Sequence, residues 1–440
     1  MSKNGISRRE FFESSAAAGL ALAATGATSK LAAQEKDKPV RVGFIGVGSR
    51  GTVLLRLALL VEGVEIPAIC DIDESHLSRA QRLVERRGQP TPEGYSRGPE
   101  DYRRMVERDD LDCVICATPW AWHTPMMVAT LEAGKYGGVE VPAAGSVEEC
   151  WQLVEASERT GVPCMMLENY CYFRNVMLAL NLLDLGLFGD PVHSQVGYQK
   201  DERMLGIGPD GEMDFYSKVR SQANGNLYPT HALGPAAWLM NVNRADRFSY
   251  MVSMSSRSKQ LGDYAVEKFG KDHPAAKIKF SQGDVNTTLI RTEQGRTVTL
   301  YYDTQSPRPW DPILRFQTSK GIFMGSFEKI YVEGLSEKPL TWEDSAGYYE
   351  KYEHPLWKKF GAMEVSGLGR GVSDFLAVHQ FIEAVRRKSL TPLDVYDAVS
   401  WSVITPLSKQ SVANKSAAVD FPDFTRGKWK EERKRIYYDV

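Results

Sequence analysis

Cysteine is scarce in this chain, with six in 440 residues. That is too few to staple a fold by disulfides. Charge of one sign is lacking as well. Lysine and arginine number 54 against 56 aspartates and glutamates, a net charge of −2. Without a basic surplus to neutralise phosphates, no nucleic-acid partner is expected. No apolar run reaches the ~18 residues of a membrane-spanning helix, so no membrane partner is expected either. What is present is an ordinary globular mix, 42% hydrophobic and 25% charged. Its length allows two or three domains of roughly 100–200 residues each.

The first 33 residues stand apart from that globular part. Ser7-Arg8-Arg9-Glu10-Phe11-Phe12 is a twin-arginine cluster. An Ala/Gly/Leu stretch from Ala16 to Ala24 and the small pair Ala32-Ala33 follow it. Charged, apolar and small-residue regions in this order read as a twin-arginine export signal. Residues 1–33 are therefore expected to be removed, with the mature protein periplasmic or secreted.

Residues 38–169 read as one α/β domain with a doubly wound parallel sheet. The run from Val40 to Gly46 is short, apolar and β-rich, as a buried strand is. Gly46-Val47-Gly48-Ser49-Arg50-Gly51 follows at once, then a helical apolar pattern from Thr52 to Leu60. A second strand, Glu65 to Cys70, ends at Asp71. A G-x-G-x-x-G between strand and helix, with an acidic residue some 20 positions on, is the dinucleotide fingerprint. Gly46 permits the tight turn, Gly48 lets a pyrophosphate approach the backbone, and Gly51 lets helix and strand pack closely. Asp71 would bond the adenosine ribose and repel a 2′-phosphate, which favours NAD over NADP. Strands at Asp112–Thr118, Gly138–Val141 and Pro163–Leu167 alternate with helices at Ala121–Ala133 and Val147–Thr160. Ligands bind outside the carboxyl ends of such strands, where the Pro119–His123, Glu140–Pro142 and Glu168-Asn169 clusters fall. Cys113 and Cys116 look like a C-x-x-C motif, but three apart in a strand they point to opposite faces. They read as core residues, and no metal is expected.

From Tyr170 to the C-terminus the pattern is that of an α+β substrate domain with an open, mostly antiparallel sheet. Its strands are expected at Pro191–Gln199, Phe248–Ser255, Lys277–Gln282, Asn286–Thr292, Thr297–Asp303, Ile313–Thr318 and Gly321–Phe327. Helices Asp374–Arg387 and Pro392–Asn414 close the chain, the second able to return to the first domain. Tyr228-Pro229-Thr230-His231 leads into a helical run from Ala232 to Met240. Pro229 suits a first helical turn, which places His231 near the helix N-terminus. The positive end of the helix disfavours a protonated ring there, which suits a base. Tyr228 lies three residues away on the same face. A hydrogen-bonded structural histidine would leave the same pattern. His76 and His273, in polar surroundings, read as surface residues.

An N-terminal dinucleotide domain followed by an open sheet resembles the glucose–fructose oxidoreductase/inositol dehydrogenase superfamily. Most dehydrogenases of that superfamily carry a Glu-Lys-Pro motif, whereas this chain has Glu140-Val141-Pro142. Valine can neither take nor give a proton. That departure, the strings Gly48–Gly51, Thr118–His123, Gly138–Ala143 and Glu168–Tyr170, and Tyr228–His231 resemble glycoside hydrolase family 109. The resemblance implies an exported, NAD-dependent α-N-acetylgalactosaminidase. It implies NAD contacts from Ser49, Arg50, Asp71, Trp120, Trp122, His123, Glu140, Val141 and Asn169. Tyr198, Arg220, Tyr228, His231 and Trp310 would line the sugar site. Trp310 ends a Ser306-Pro307-Arg308-Pro309 turn where the family's tyrosine is expected. The implied cycle is oxidation at sugar C3, elimination of the aglycone, addition of water and reduction, with His231 as the acid/base and Tyr228 or Tyr198 assisting. An NAD-dependent sugar oxidoreductase with His231 in place of the missing lysine is the alternative. Whether copies of the chain assemble is left open.

Overall fold

The computed structural model describes residues 38–440 apart from Ser366. The export signal expected at 1–33 lies outside the described residues. Val40–Ile45 forms strand β1, and five of its six residues are fully buried. Burial on both faces is what a parallel sheet covered by helices demands. Around it stand β2 (Val64–Cys70), β3 (Glu93–Tyr95), β4 (Cys113–Cys116), β5 (Tyr136–Val139) and β6 (Cys164–Met166). All pairings are parallel, in the order β3-β2-β1-β4-β5-β6, the doubly wound order of dinucleotide-binding folds. Ile45 pairs with both Cys70 and Cys116, Cys116 with Val139, and Val139 with Met166. The carboxyl ends therefore finish level. The next residues, Gly46, Asp71, Ala117, Glu140 and Leu167, form one rim.

All six cysteines are buried and unbridged. Burial pushes the Cys116 thiol up to about 11, so Cys113 and Cys116 are core side chains.

The second sheet has nine strands. These are β7 (Pro191–Gln199), β8 (Phe248–Ser255), β9 (Asn286–Thr292), β10 (Thr297–Asp303), β11 (Arg315–Thr318), β12 (Gly321–Met324), β13 (Lys329–Val332), β14 (Glu343–Asp344) and β15 (Val419–Asp420). Their order is β14-β13-β12-β11-β7-β10-β9-β8-β15, antiparallel except where β7 meets β10. The strand expected at Lys277–Gln282 is absent. Ile278 and Phe280 alternate because they cover a small apolar cluster of Ile207, Leu261, Ala265 and Ala275. The strand expected to run to Phe327 stops at Met324, where a 3-10 turn, Gly325–Phe327, leads into β13.

The closing helices are three rather than two: Val372–Arg386, Val395–Ser402 and Ile404–Ala413. A capping box between Asp394 and Asp397 starts the second of them late. Ser402 Oγ accepts from the Ala143 N–H at 3.0 Å, and Arg386 donates to the Glu62 carbonyl at 2.6 Å. Both bonds tie the C-terminal helices to the first sheet.

Candidate active site

The turn after β1 is shaped by glycine. Gly46 has φ +79°, and a Cβ there would lie 2.8 Å from the Ala117 carbonyl oxygen. A Cβ on Gly51 would fall 1.9 Å from the Gly46 oxygen. No side chain fits at either position. Asp71, the first residue past β2, accepts the Val47 N–H at 2.8 Å and the Asp73 N–H at 2.9 Å. Its carboxylate is thereby fixed beside the turn. A cavity of about 450 Å³ opens there, lined by Gly46, Gly48, Asp71, His76 and Trp122 among others. His76 is partly exposed, in keeping with the sequence reading, and its Nδ1 is 3.7 Å from Asp71 Oδ2. Glycine turn, open helix start and strand-end carboxylate fit the adenosine and pyrophosphate of NAD.

A second cavity of about 360 Å³ continues the first, sharing Ala117 and Thr118. On its Rossmann side Arg50 pairs with Glu140 at 2.6 Å and with Asp374 at 2.9 Å. Burial works against the Arg50 charge, but Glu140 and Asp374 outweigh it and hold the guanidinium protonated. Asp374 also accepts from Asn169 Nδ2 at 2.6 Å and the Arg370 N–H at 2.5 Å. Burial alone would raise the Asp374 carboxyl, yet Arg50 leaves it below its ordinary value. Asn169 Oδ1 is buried with no partner among the described residues, an acceptor free for a ligand. Val141 supplies an apolar wall.

The opposite wall comes from the helix Thr230–Leu239, in which His231 is the second residue, just past Pro229. The helix end is not the ring's only partner: Nδ1 lies 2.7 Å from Oε1 of the wholly buried Glu168. Tyr170 stacks flat on the imidazole, 4.2 Å between centroids and 7° between planes. Tyr228 meets the ring edge-on at 5.0 Å and stacks on Trp120 at 5.6 Å. Burial pushes the Tyr170 phenol up to about 12 and that of Tyr228 well above its usual range. Both stay protonated at working pH, so neither serves as a base. The imidazole is the group in this wall whose chemistry allows it both to take and to give a proton.

Residues 172–431 match the model for the glycosyl hydrolase 109 C-terminal domain, and residues 40–168 match that for the NAD-binding Rossmann fold of an oxidoreductase family. The chain belongs to glycosyl hydrolase family 109. An alpha-N-acetylgalactosaminidase from Tannerella forsythia is 40% identical over 96% of this chain and 97% of its own. A glycosyl hydrolase family 109 protein from Shewanella pealeana is 42% identical over 90% and 87%. Among solved structures, levoglucosan dehydrogenase in complex with NADH shares the fold, with TM-score 0.66 at 20% identity over 88% of this chain and all of that one. Scyllo-inositol dehydrogenase from Lactobacillus casei does so with TM-score 0.61 at 13% identity, over 87% and 98%. The family 109 chain is thus a glycoside hydrolase that uses NAD.

Seen in this family 109 site, the expected residues divide. Arg50, Trp120, His123, Glu140, Val141, Asn169, Tyr228 and His231 line the second cavity, and Gly46, Gly48, Asp71 and Trp122 line the first. Gly51 packs beneath the turn, and Ser49 begins the helix after it, exposed. His123 lines the cavity but has no free ring nitrogen, because its two nitrogens lie 2.7 Å from the Pro142 oxygen and 2.8 Å from that of Thr118. Burial disfavours the protonated ring, so it donates to one of these carbonyls and only packs against the other. Tyr198 stands one layer back, 4.8 Å from the Tyr228 ring, with its hydroxyl on Glu202 at 3.2 Å. Arg220 is buried behind it, paired with Glu202 at 2.6 Å. Trp310 is outside, 44% exposed, edge-on to Tyr170 at 6.5 Å. The sequence reading placed Glu168 in a strand-end cluster without a role of its own, and gave none to Tyr170, Asp374, Arg370 or Tyr216. For Tyr170 and Glu168 a signal existed, since both adjoin Asn169 at a strand's carboxyl end. Asp374 had none.

Proposed function

We propose that this enzyme releases terminal N-acetylgalactosamine, α-linked, by oxidation at C3, elimination, hydration and reduction. The observation that carries the reading is the fate of the cavity's carboxylates. Glu140 and Asp374 both pair with Arg50, so neither is free to serve as the acid or nucleophile of an ordinary two-carboxylate glycosidase. The α-N-acetylgalactosaminidase named among the relatives supports the choice of sugar. Bound NAD supplies a reversible hydride acceptor, and a ketone at C3 makes the C2 hydrogen acidic.

The chain's own residues do the rest. Arg50 and Asn169 hold the cofactor side of the cavity, and Asp71 anchors the adenosine end. Val141 offers no proton at the position where a dehydrogenase lysine would stand. His231, with Nδ1 turned to Glu168, has Nε2 left to take the C2 proton and return one later. Tyr228 lines the cavity and donates a hydrogen bond to a sugar oxygen, while Tyr170, stacked on His231, backs the wall. Tyr198 and Arg220 brace that wall from behind. We further read residues 1–33 as a twin-arginine signal. That route carries folded proteins, so NAD would be loaded before export.

Hydrolysis of an aryl α-N-acetylgalactosaminide in deuterated water tests the reading. Deuterium is expected at C2 of the released sugar, and a 3-O-methyl substrate should resist cleavage. Cleavage without exchange at C2, equally fast with the 3-hydroxyl blocked, would overturn it. Net NADH from free sugar without hydrolysis would mark an oxidoreductase instead.

A further inference from the structure

Glu168 lies two residues past β6 and is wholly buried at the floor of the His231 wall. Its Oε1 accepts the Tyr170 backbone N–H at 3.0 Å and faces His231 Nδ1 at 2.7 Å. Its Oε2 is buried with no hydrogen-bond partner among the described residues. Taking a carboxylate out of water costs several kcal/mol unless hydrogen-bond donors compensate. The basic ring held against this carboxylate is the His231 imidazole. Space for the arrangement is built into the helix. Gly234, three residues past His231 and so on the same face, would with a Cβ come within 3.0 Å of Glu168 Cγ and of the Trp401 ring. Tyr170, stacked at 4.2 Å, clamps the imidazole plane. Carboxylate, glycine gap and stacked phenol together define one ring orientation.

We propose that Glu168 is the positioning residue of the reaction. It keeps the Nδ1–H of His231 turned inward, leaves Nε2 for the sugar, and stabilises the imidazolium formed when Nε2 takes the C2 proton. This rests on the oxidation–elimination reading. In the step concerned, the C2–H bond breaks and its proton goes to Nε2. Its electron pair becomes the C1–C2 π bond, and the C1–O pair leaves with the aglycone oxygen. Bound NAD would supply the acceptor for the sugar's C3 hydride before this step and its donor afterwards, so no outside oxidant is needed. A buried anion beside the ring lowers the energy of that charge-forming step more than that of sugar binding, as in other acid/base sites where a carboxylate orients a histidine.

Three variants of the NAD-loaded enzyme test this. Glu168→Gln can still accept from Nδ1 but carries no charge. It should lose about 100-fold in kcat, the usual reach of an acid/base group. KM should stay within about threefold, bound NAD should be retained, and the isotope effect with C2-deuterated substrate should grow. Glu168→Asp keeps the charge and should recover part of that rate. Added to His231→Gln, Glu168→Gln should cost under about twofold more, because its effect runs through the histidine. Full kcat in Glu168→Gln, no recovery in Glu168→Asp, or additive losses in the double variant would each overturn the proposal. Should Glu168→Gln fail to fold, the comparison of Glu168→Asp with wild type and the isotope effect decide. Wild-type enzyme that places no deuterium at C2 would instead sink the reaction sequence itself.

Discussion

Asp374 offers the sharpest test of how the two halves make one site. Its carboxylate accepts from Arg50 Nη1 at 3.0 Å, Arg50 Nη2 at 2.9 Å, Asn169 Nδ2 at 2.6 Å and the Arg370 N–H at 2.5 Å. Asp374→Ala strands all four donors. Breaking a buried ion pair costs about 3–5 kcal/mol, and each buried donor left without a partner about 1–3 kcal/mol. Arg50 keeps Glu140, and its side chain is 32% exposed to water, so the low end applies. A loss of about 3 kcal/mol is expected, against a total stability of about 5–15 kcal/mol for a folded domain. The protein should fold, with a lower urea midpoint. Arg50 and Asn169 would lose their fixed positions on the cofactor wall. If half the loss must be restored on binding, NAD affinity falls about tenfold. Dinucleotide released on denaturation, titration of the stripped protein with NAD, and urea unfolding measure these quantities. Asp374→Asn keeps the shape but turns an amide N–H₂ toward donors, and should fall between wild type and alanine. An Asp374→Ala protein that holds NAD and unfolds like wild type would refute the reasoning.

Other expectations follow from the same geometry. Purified protein should release roughly one NAD per chain and little NADP, because Asp71 opposes a 2′-phosphate; a preparation that neither releases nor rebinds dinucleotide contradicts this. His231→Gln should lower turnover at least ~100-fold while NAD stays bound, and near-wild-type rates would make the residue structural. Burial pushes the His354 imidazole down from 6.5 to about 4. Between those pH values the unfolded chain takes up a proton that the native chain refuses, so stability should fall as pH is lowered from 6.5 to 4, by on the order of 3 kcal/mol. Urea midpoints across that range should slope less in His354→Asn, whose side-chain oxygen can still accept the Leu356 N–H now bound at 3.2 Å; an unchanged slope excludes His354 as the cause.

Local rules carried the sequence reading where structure is local. The Gly46–Gly51 turn, Asp71 at its strand end and Pro229 ahead of His231 were legible because each depends on neighbours within a few positions. Alternation located Pro191–Gln199 and Thr297–Asp303, whose inner faces sit on the core. It misled at Lys277–Gln282, because a two-residue period says that a face is buried, not that a ladder partner exists.

The sequence by itself thus determined the nucleotide-binding half, the choice of NAD and the helix bearing His231. Each of these follows from backbone conformations that particular residues permit or forbid. Only the tertiary structure decided which groups meet. Arg50 and Asp374 are 324 positions apart, and Glu168 and His231 are 63 apart. No periodicity or turn rule specifies such pairs. They come together because level strand ends and a returning C-terminal helix leave buried charges that must be paired. That pairing ties Glu140 and Asp374 to Arg50 and leaves the His231 ring, held against Glu168, on the cavity wall.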